Sequence, residues 1–143
     1  MSSIPFHYVD LRAFCYVTED ERRVEDALRL FLPEEFEIDR TESAGHYGDR
    51  ILVLSARVET ADDLRVVLDA LAELPDEDCQ RVLGELEERI DEDCSLFVSL
   101  DKQAAYGGDV RLGDGITLRA KVETYPAKRE RAIDTVAETY GAG

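Results

Sequence analysis

Residues 7–17, His7-Tyr8-Val9-Asp10-Leu11-Arg12-Ala13-Phe14-Cys15-Tyr16-Val17, alternate in character along their length. Val9, Leu11, Ala13, Cys15 and Val17 fall on one side of an extended chain. Tyr8, Asp10, Arg12, Phe14 and Tyr16 fall on the other. Successive side chains of a strand point to opposite faces, so this period of two predicts a strand with one apolar face. Its second face carries three aromatics and is expected to be covered in part.

The neighbouring segments follow from this strand. Thr18-Glu19-Asp20-Glu21 reads as a capping box, with Val24, Ala27, Leu28 and Phe31 continuing at helical spacing until Pro33. Phe36 to Ser43 reads as a polar strand, Gly45-His46-Tyr47-Gly48 as a turn, and Arg50 to Glu59 as a more apolar strand, together an antiparallel hairpin. Thr60 caps a helix whose stripe is Leu64, Val67, Leu68, Leu71 and Leu74, and Pro75 stops it. A further helix from Asp76 has Cys79, Val82, Leu83, Leu86 and Ile90 on its apolar side. The outer faces of both helices are almost all acidic and read as solvated surface.

Cys94 to Asp101 is an expected strand. Asp109–Leu112 and Ile116–Thr124 are expected to pair around Gly113-Asp114-Gly115, a strong hairpin signal. Tyr125-Pro126 is read as opening the last helix, with Ala132, Ile133, Val136 and Tyr140 buried. The order β-α-β-β-α-α-β-β-β-α predicts a single α+β domain over residues 1–143, a mostly antiparallel sheet packed by helices.

Thirty-three acids against seventeen bases give a net charge of −16, while 44% hydrophobic residues argue for a folded chain. Only three of the bases are lysine. Scarce lysine on so acidic a chain points to a haloarchaeal cytosol, where molar salt screens self-repulsion. No apolar run approaches the ~20 residues that cross a bilayer. The start of the chain has no basic region followed by a long apolar segment, which points to the cytoplasm. Cys15, Cys79 and Cys94 are widely spaced and read as free, buried thiols. No cysteine–histidine pairing suggests zinc, and no cofactor is expected.

The charge is unevenly spread. Residues 1–94 hold ten bases against twenty-six acids, whereas residues 102–131 hold seven bases against four acids, including all three lysines. A positive island on an acidic chain calls for an anionic partner. Lys128, Arg129 and Arg131 are placed in the first turn or so of the last helix, where free amides and bases together favour an anion such as phosphate. Arg119 and Lys121 share a strand face, with Tyr125 following on the same parity and Arg111 as a candidate neighbour. Lys102, Gln103 and Tyr106 sit in one glycine-rich link. Bases mixed with exposed aromatics grip nucleic acid by phosphate contact and base stacking. The competing reading of each group is a solvated face whose bases pair with local acids. His46 and Tyr47 read first as turn residues and second as base or phosphate contacts.

Phe6-His7-Tyr8-Val9, Gly45-His46-Tyr47-Gly48, Leu100-Asp101-Lys102-Gln103-Ala104-Ala105-Tyr106 and Lys121-Val122-Glu123-Thr124-Tyr125-Pro126-Ala127-Lys128-Arg129-Glu130 together resemble an archaeal family. That family is described as an RNA-binding domain or predicted exosome subunit, and the resemblance covers nearly the whole chain. It implies an α+β fold like that of the large-subunit ribosomal protein that holds 5S RNA. It also implies RNA binding and a link to RNA processing, and it brings no catalytic residue. The expected RNA contacts are His46, Tyr47, Lys102, Gln103, Tyr106, Arg119, Lys121, Tyr125, Lys128, Arg129 and Arg131. Two other readings stand beside it. One is a protein-interaction module of an RNA-processing complex. The other is an enzyme on a phosphate compound, with His46 as acid or base.

Overall fold

The alternating stretch becomes β1 (Phe6–Cys15), the middle strand of the sheet. The computed structural model describes residues 5–44 and 50–140. After β1 come α1 (Glu21–Arg29), β2 (Asp39–Ala44), β3 (Arg50–Val58), α2 (Ala61–Leu71), α3 (Asp76–Gly84) and α4 (Leu86–Arg89). Then follow β4 (Ser95–Asp101), α5 (Lys102–Tyr106), β5 (Gly115–Val122) and α6 (Arg129–Tyr140). The five strands lie in the order β2-β3-β1-β5-β4, and every neighbouring pair is antiparallel.

One face of this sheet is the floor of the core. Ala56, Leu11, Leu118 and Val98 lie opposite one another across four strands, and all four are buried. Against them pack Val24, Ala27 and Leu28 of α1, Leu64 and Val67 of α2, Leu86 of α4, and Ala132 and Val136 of α6. Each fully buried leucine side chain contributes roughly 1.5–3 kcal/mol through removal of apolar surface from water. The helices turn their acids outward, among them Asp62, Asp69, Glu77 and Glu88. The result is an α+β domain with an acidic helical side and a sheet whose second face, among the described residues, carries no helix.

Several local expectations are corrected. Asp109–Leu112 does not form a strand beside β5, because both edges of β5 are already taken by β1 and β4. That segment crosses the end of β4 instead, with one bridge between Leu100 and Leu112 and a 2.8 Å bond from the Asp101 N–H to the Arg111 carbonyl. The helix from Asp76 breaks after Gly84 into α3 and α4, and the Gln103 link winds into α5, capped by Asp101. Asp20, not Thr18, caps α1, accepting from the Arg22 N–H at 2.9 Å. Thr60 does cap α2, accepting from the Asp63 N–H at 3.3 Å. β1 ends at Cys15, which leaves Val17 72% exposed instead of buried. The Tyr125–Pro126 peptide is cis and precedes α6, which begins at Arg129, so Pro126 lies outside the helix. Cys15 and Cys94 are buried, Cys79 is half-buried, and all three thiols are free. Among the described residues, no helix is long and apolar enough to cross a membrane.

Candidate nucleic-acid interface

The uncovered face of the sheet gathers side chains that the chain order keeps apart. Register places Arg57, Asp10, Arg119 and Phe97 in one row across β3, β1, β5 and β4. The next row holds Ser55, Arg12 and Thr117, with Ser99 beyond, and the row on the other side holds Tyr8, Lys121 and Ser95. At the centre lies a depression of about 450 Å³ lined by Arg12, Phe14, Arg57, Phe97 and Arg119, with Asp10 and Asp39 as its acids. Four bases thus stand on one face of a chain whose helical side is acidic.

The bases differ in how they are held. Arg57 donates from Nε and Nη2 to the two Asp10 carboxylate oxygens at 2.7 and 3.0 Å. Its guanidinium also lies 4.2 Å from the Tyr8 ring centroid. The Asp10 hydrogen bonds and charge raise the Arg57 pKa above its ordinary value, so it stays a cation. Arg119 Nε donates to the Ser95 hydroxyl at 3.2 Å, which aims the guanidinium along the face. Lys121 Nζ donates to the Asp93 carbonyl at the edge of the sheet. Arg12 is exposed, and among the described residues its side chain makes no ion pair or hydrogen bond. Phe97 is the more exposed of the two phenylalanine rings here, 38% exposed beside Arg119.

The candidate residues from the sequence separate into groups. Arg119 and Lys121 lie on this face. Arg111 does not; it sits 3.9 Å from Glu77. Lys102 is only 5% exposed, donating to Glu19 Oε1 at 2.7 Å and to the Phe14 carbonyl at 2.8 Å. Tyr106 donates to Glu19 Oε2 at 2.9 Å and lies under Arg23, whose Cζ is 4.7 Å from the ring centroid. Both therefore hold β1, α1 and α5 together, while Gln103 is exposed on α5. Arg129 turns toward α4, donating from Nε to the Ile90 carbonyl at 2.9 Å and from Nη2 to the Glu87 carbonyl. That leaves Lys128 and Arg131 exposed near the start of α6, with Tyr125 92% exposed ahead of them. His46 and Tyr47 lie outside the described residues.

Arg12, Arg57, Tyr8, Phe14 and Phe97 were not singled out from the sequence. The signal existed for the β1 residues, since Tyr8, Arg12 and Phe14 alternate with its buried positions. What the sequence lacked was the pairing that brings β3, β4 and β5 alongside them. Among the described residues, no group of three or more His, Cys, Asp or Glu side chains is placed to hold a metal ion.

The profile of a family described as RNA binding matches residues 8–122, from the start of the open face on β1 to the end of β5. The chain belongs to that family. An RNA-binding protein of Pyrococcus abyssi is 33% identical over 141 residues, covering 92% of each chain. The crystal structure of a protein from Archaeoglobus fulgidus superposes with a TM-score of 0.84 at 35% identity, covering 93% of this chain and 98% of that one. A family member from Methanothermobacter thermautotrophicus superposes with a TM-score of 0.79 at 36% identity, covering 94% and 98%. The two solved archaeal structures thus share this fold over nearly their whole length.

Proposed function

We propose that this protein binds RNA on the open face of its sheet, through Arg12, Arg119 and Lys121, with Lys128, Arg131 and Tyr125 extending the contact beyond β5. The observation that carries this reading is the asymmetry of the domain. Its helical side is acidic, and its other side holds the exposed Arg12 in the lining of a depression with Arg57, Arg119, Phe14 and Phe97. A polyanion is repelled by the first surface and met by the second. The relative from Pyrococcus abyssi named as an RNA-binding protein supports the same partner.

In a haloarchaeal cytosol, which the composition favours, the Debye length shrinks to ~3 Å. Counterion release then gives little driving force, so charges work only at contact and hydrogen bonds and stacking carry the affinity. On the family resemblance, the protein serves archaeal RNA processing as an accessory, with the exosome as the candidate assembly. Co-purification of exosome subunits after nuclease treatment tests that assignment.

Binding of labelled total small RNA at KCl concentrations up to molar tests the site. Arg12→Ala/Arg119→Ala is expected to lose at least tenfold in affinity, about 1.4 kcal/mol. Lys128→Ala/Arg131→Ala is expected to lose less. Equal binding by the first double variant and the wild type would reject the open face as the site.

A further inference from the structure

Building on RNA binding at the open face, we infer that this face takes an unpaired, splayed RNA strand, stacking bases on two separate platforms, and discriminates against duplex. The first platform is Phe97, whose exposed ring flanks the depression. The second is Arg57. Its hydrogen-bonding edge is occupied by Asp10 and one plane rests on Tyr8, yet the side chain remains 52% exposed. A guanidinium held this way has its charge largely answered and one plane already stacked on a ring. It suits stacking on a base more than gripping a phosphate.

The two platforms stand at opposite ends of one row, with Asp10 and Arg119 between them. Three strand spacings separate their backbones, roughly 14 Å. Bases within a helix stack on each other ~3.4 Å apart and hide their faces. A duplex cannot offer two base faces to side chains this far apart on one sheet face. A single strand can, by unstacking and spanning the row, with Arg12 and Arg119 meeting the phosphates in between. Sequence-tolerant stacking of this kind also survives high salt, because it does not depend on released counterions.

The test uses a fluorescent single-stranded oligouridylate 12-mer and a blunt RNA duplex of the same length, at 0.2 M and 2 M KCl. Wild-type protein is expected to bind the single strand at least tenfold more tightly than the duplex, at both salts. Phe97→Ala is expected to weaken single-strand binding by roughly five- to 150-fold, as ~1–3 kcal/mol per stacked base converts, without changing its salt dependence. Phe97→Tyr is expected to restore it. Far-ultraviolet circular dichroism confirms folding of each variant, and Arg57→Ala provides an independent second probe. Duplex bound as tightly as the single strand would overturn this inference while leaving RNA binding intact. So would a single-strand preference untouched by both Phe97→Ala and Arg57→Ala. Binding of neither RNA would overturn the RNA-binding reading itself.

Discussion

Lys102 Nζ lies 2.7 Å from Glu19 Oε1, joining residues 83 positions apart beneath the end of the sheet. Tyr106 completes the group from the other carboxylate oxygen. The ammonium is almost fully buried, so removing it strands a carboxylate and the Phe14 carbonyl together. Breaking one side of a buried pair costs about 3–5 kcal/mol. Lys102→Met is therefore expected to lose about 3 kcal/mol in urea unfolding, and to keep wild-type RNA affinity under conditions where it stays folded. A loss under 1 kcal/mol would show that water reaches the pair.

The same group sets a pH dependence. Partial burial pushes the Glu19 carboxyl up, but hydrogen bonds from Lys102, the Tyr16 N–H and Tyr106, with the Lys102 charge, outweigh it and leave the pKa below its ordinary value. Glu19 thus contributes stability in full above the unfolded-state pKa of about 4.3, and loses it as pH falls through the lower folded value. Burial and the Glu19 hydrogen bond push Tyr106 up to about 12. The unfolded chain deprotonates first, near pH 10, so stability declines between about pH 10 and 12. In Glu19→Gln, the acid arm of the stability–pH curve is expected to flatten, and the alkaline arm to shrink, because Tyr106 loses a hydrogen bond and a charge that hold its pKa up. Unchanged arms would remove Glu19 from the acid response.

Gly113 and Gly115 show where local reading and long-range packing part company. The Gly-Asp-Gly triplet carries the signal of a tight hairpin, and the chain does turn there. The glycines, however, serve close approach to α5. A Cβ at Gly113 would stand 2.9 Å from the Asp101 Cα, and one at Gly115 would stand 2.5 Å from the Lys102 Cβ at a φ of +113°. Gly113→Ala meets backbone that cannot step aside. Gly115→Ala adds backbone strain to a clash with a buried side chain. Each is expected to cost about 1–3 kcal/mol, read as a lower urea midpoint with unchanged slope. A neutral Gly113→Ala would mean that β4 can shift away from the turn.

The fold class was legible because period-two and period-3.6 patterns are local, and β1, α1, α2 and β5 carry them cleanly. The site was less so. Whether Lys102 and Tyr106 face RNA or face Glu19 depends on an acid 83 and 87 residues away. Arg12 and Phe97 become neighbours of one depression only once β5 lies between their strands. That Arg119 and Lys121 share a face was legible because a single strand already displays both.

Arg129 is tied into the fold by its own hydrogen bonds. It donates to carbonyls of Ile90 and Glu87 at the end of α4, the end where helix carbonyls lack partners and a cation is favourable. Arg129→Ala is expected to lose about 1–2 kcal/mol of stability with RNA affinity unchanged. Lys128→Ala, with an exposed ammonium, is expected to do the reverse. A large affinity loss in Arg129→Ala, with stability retained, would return this residue to the RNA interface.

The acidic helical side makes stability depend on salt. With a net charge of −16, and exposed acids such as Asp69, Glu73, Glu87 and Glu88 on the helical side, the folded state carries like charges that repel one another. Raising KCl from 0.1 to 1 M shortens the Debye length from ~10 to ~3 Å, which screens these exposed charges while leaving the buried Lys102–Glu19 pair largely unaffected. Each kcal/mol of relieved repulsion raises the Tm of a domain this size by about 2–4 °C. The melting temperature is therefore expected to climb with KCl through the whole range, and Asp69→Asn/Glu73→Gln, exposed acids at and beyond the C-terminal end of α2, to start higher and climb less. A melting temperature flat in KCl would sink the halophilic reading of the composition, and with it the argument that RNA contacts here must work at close range.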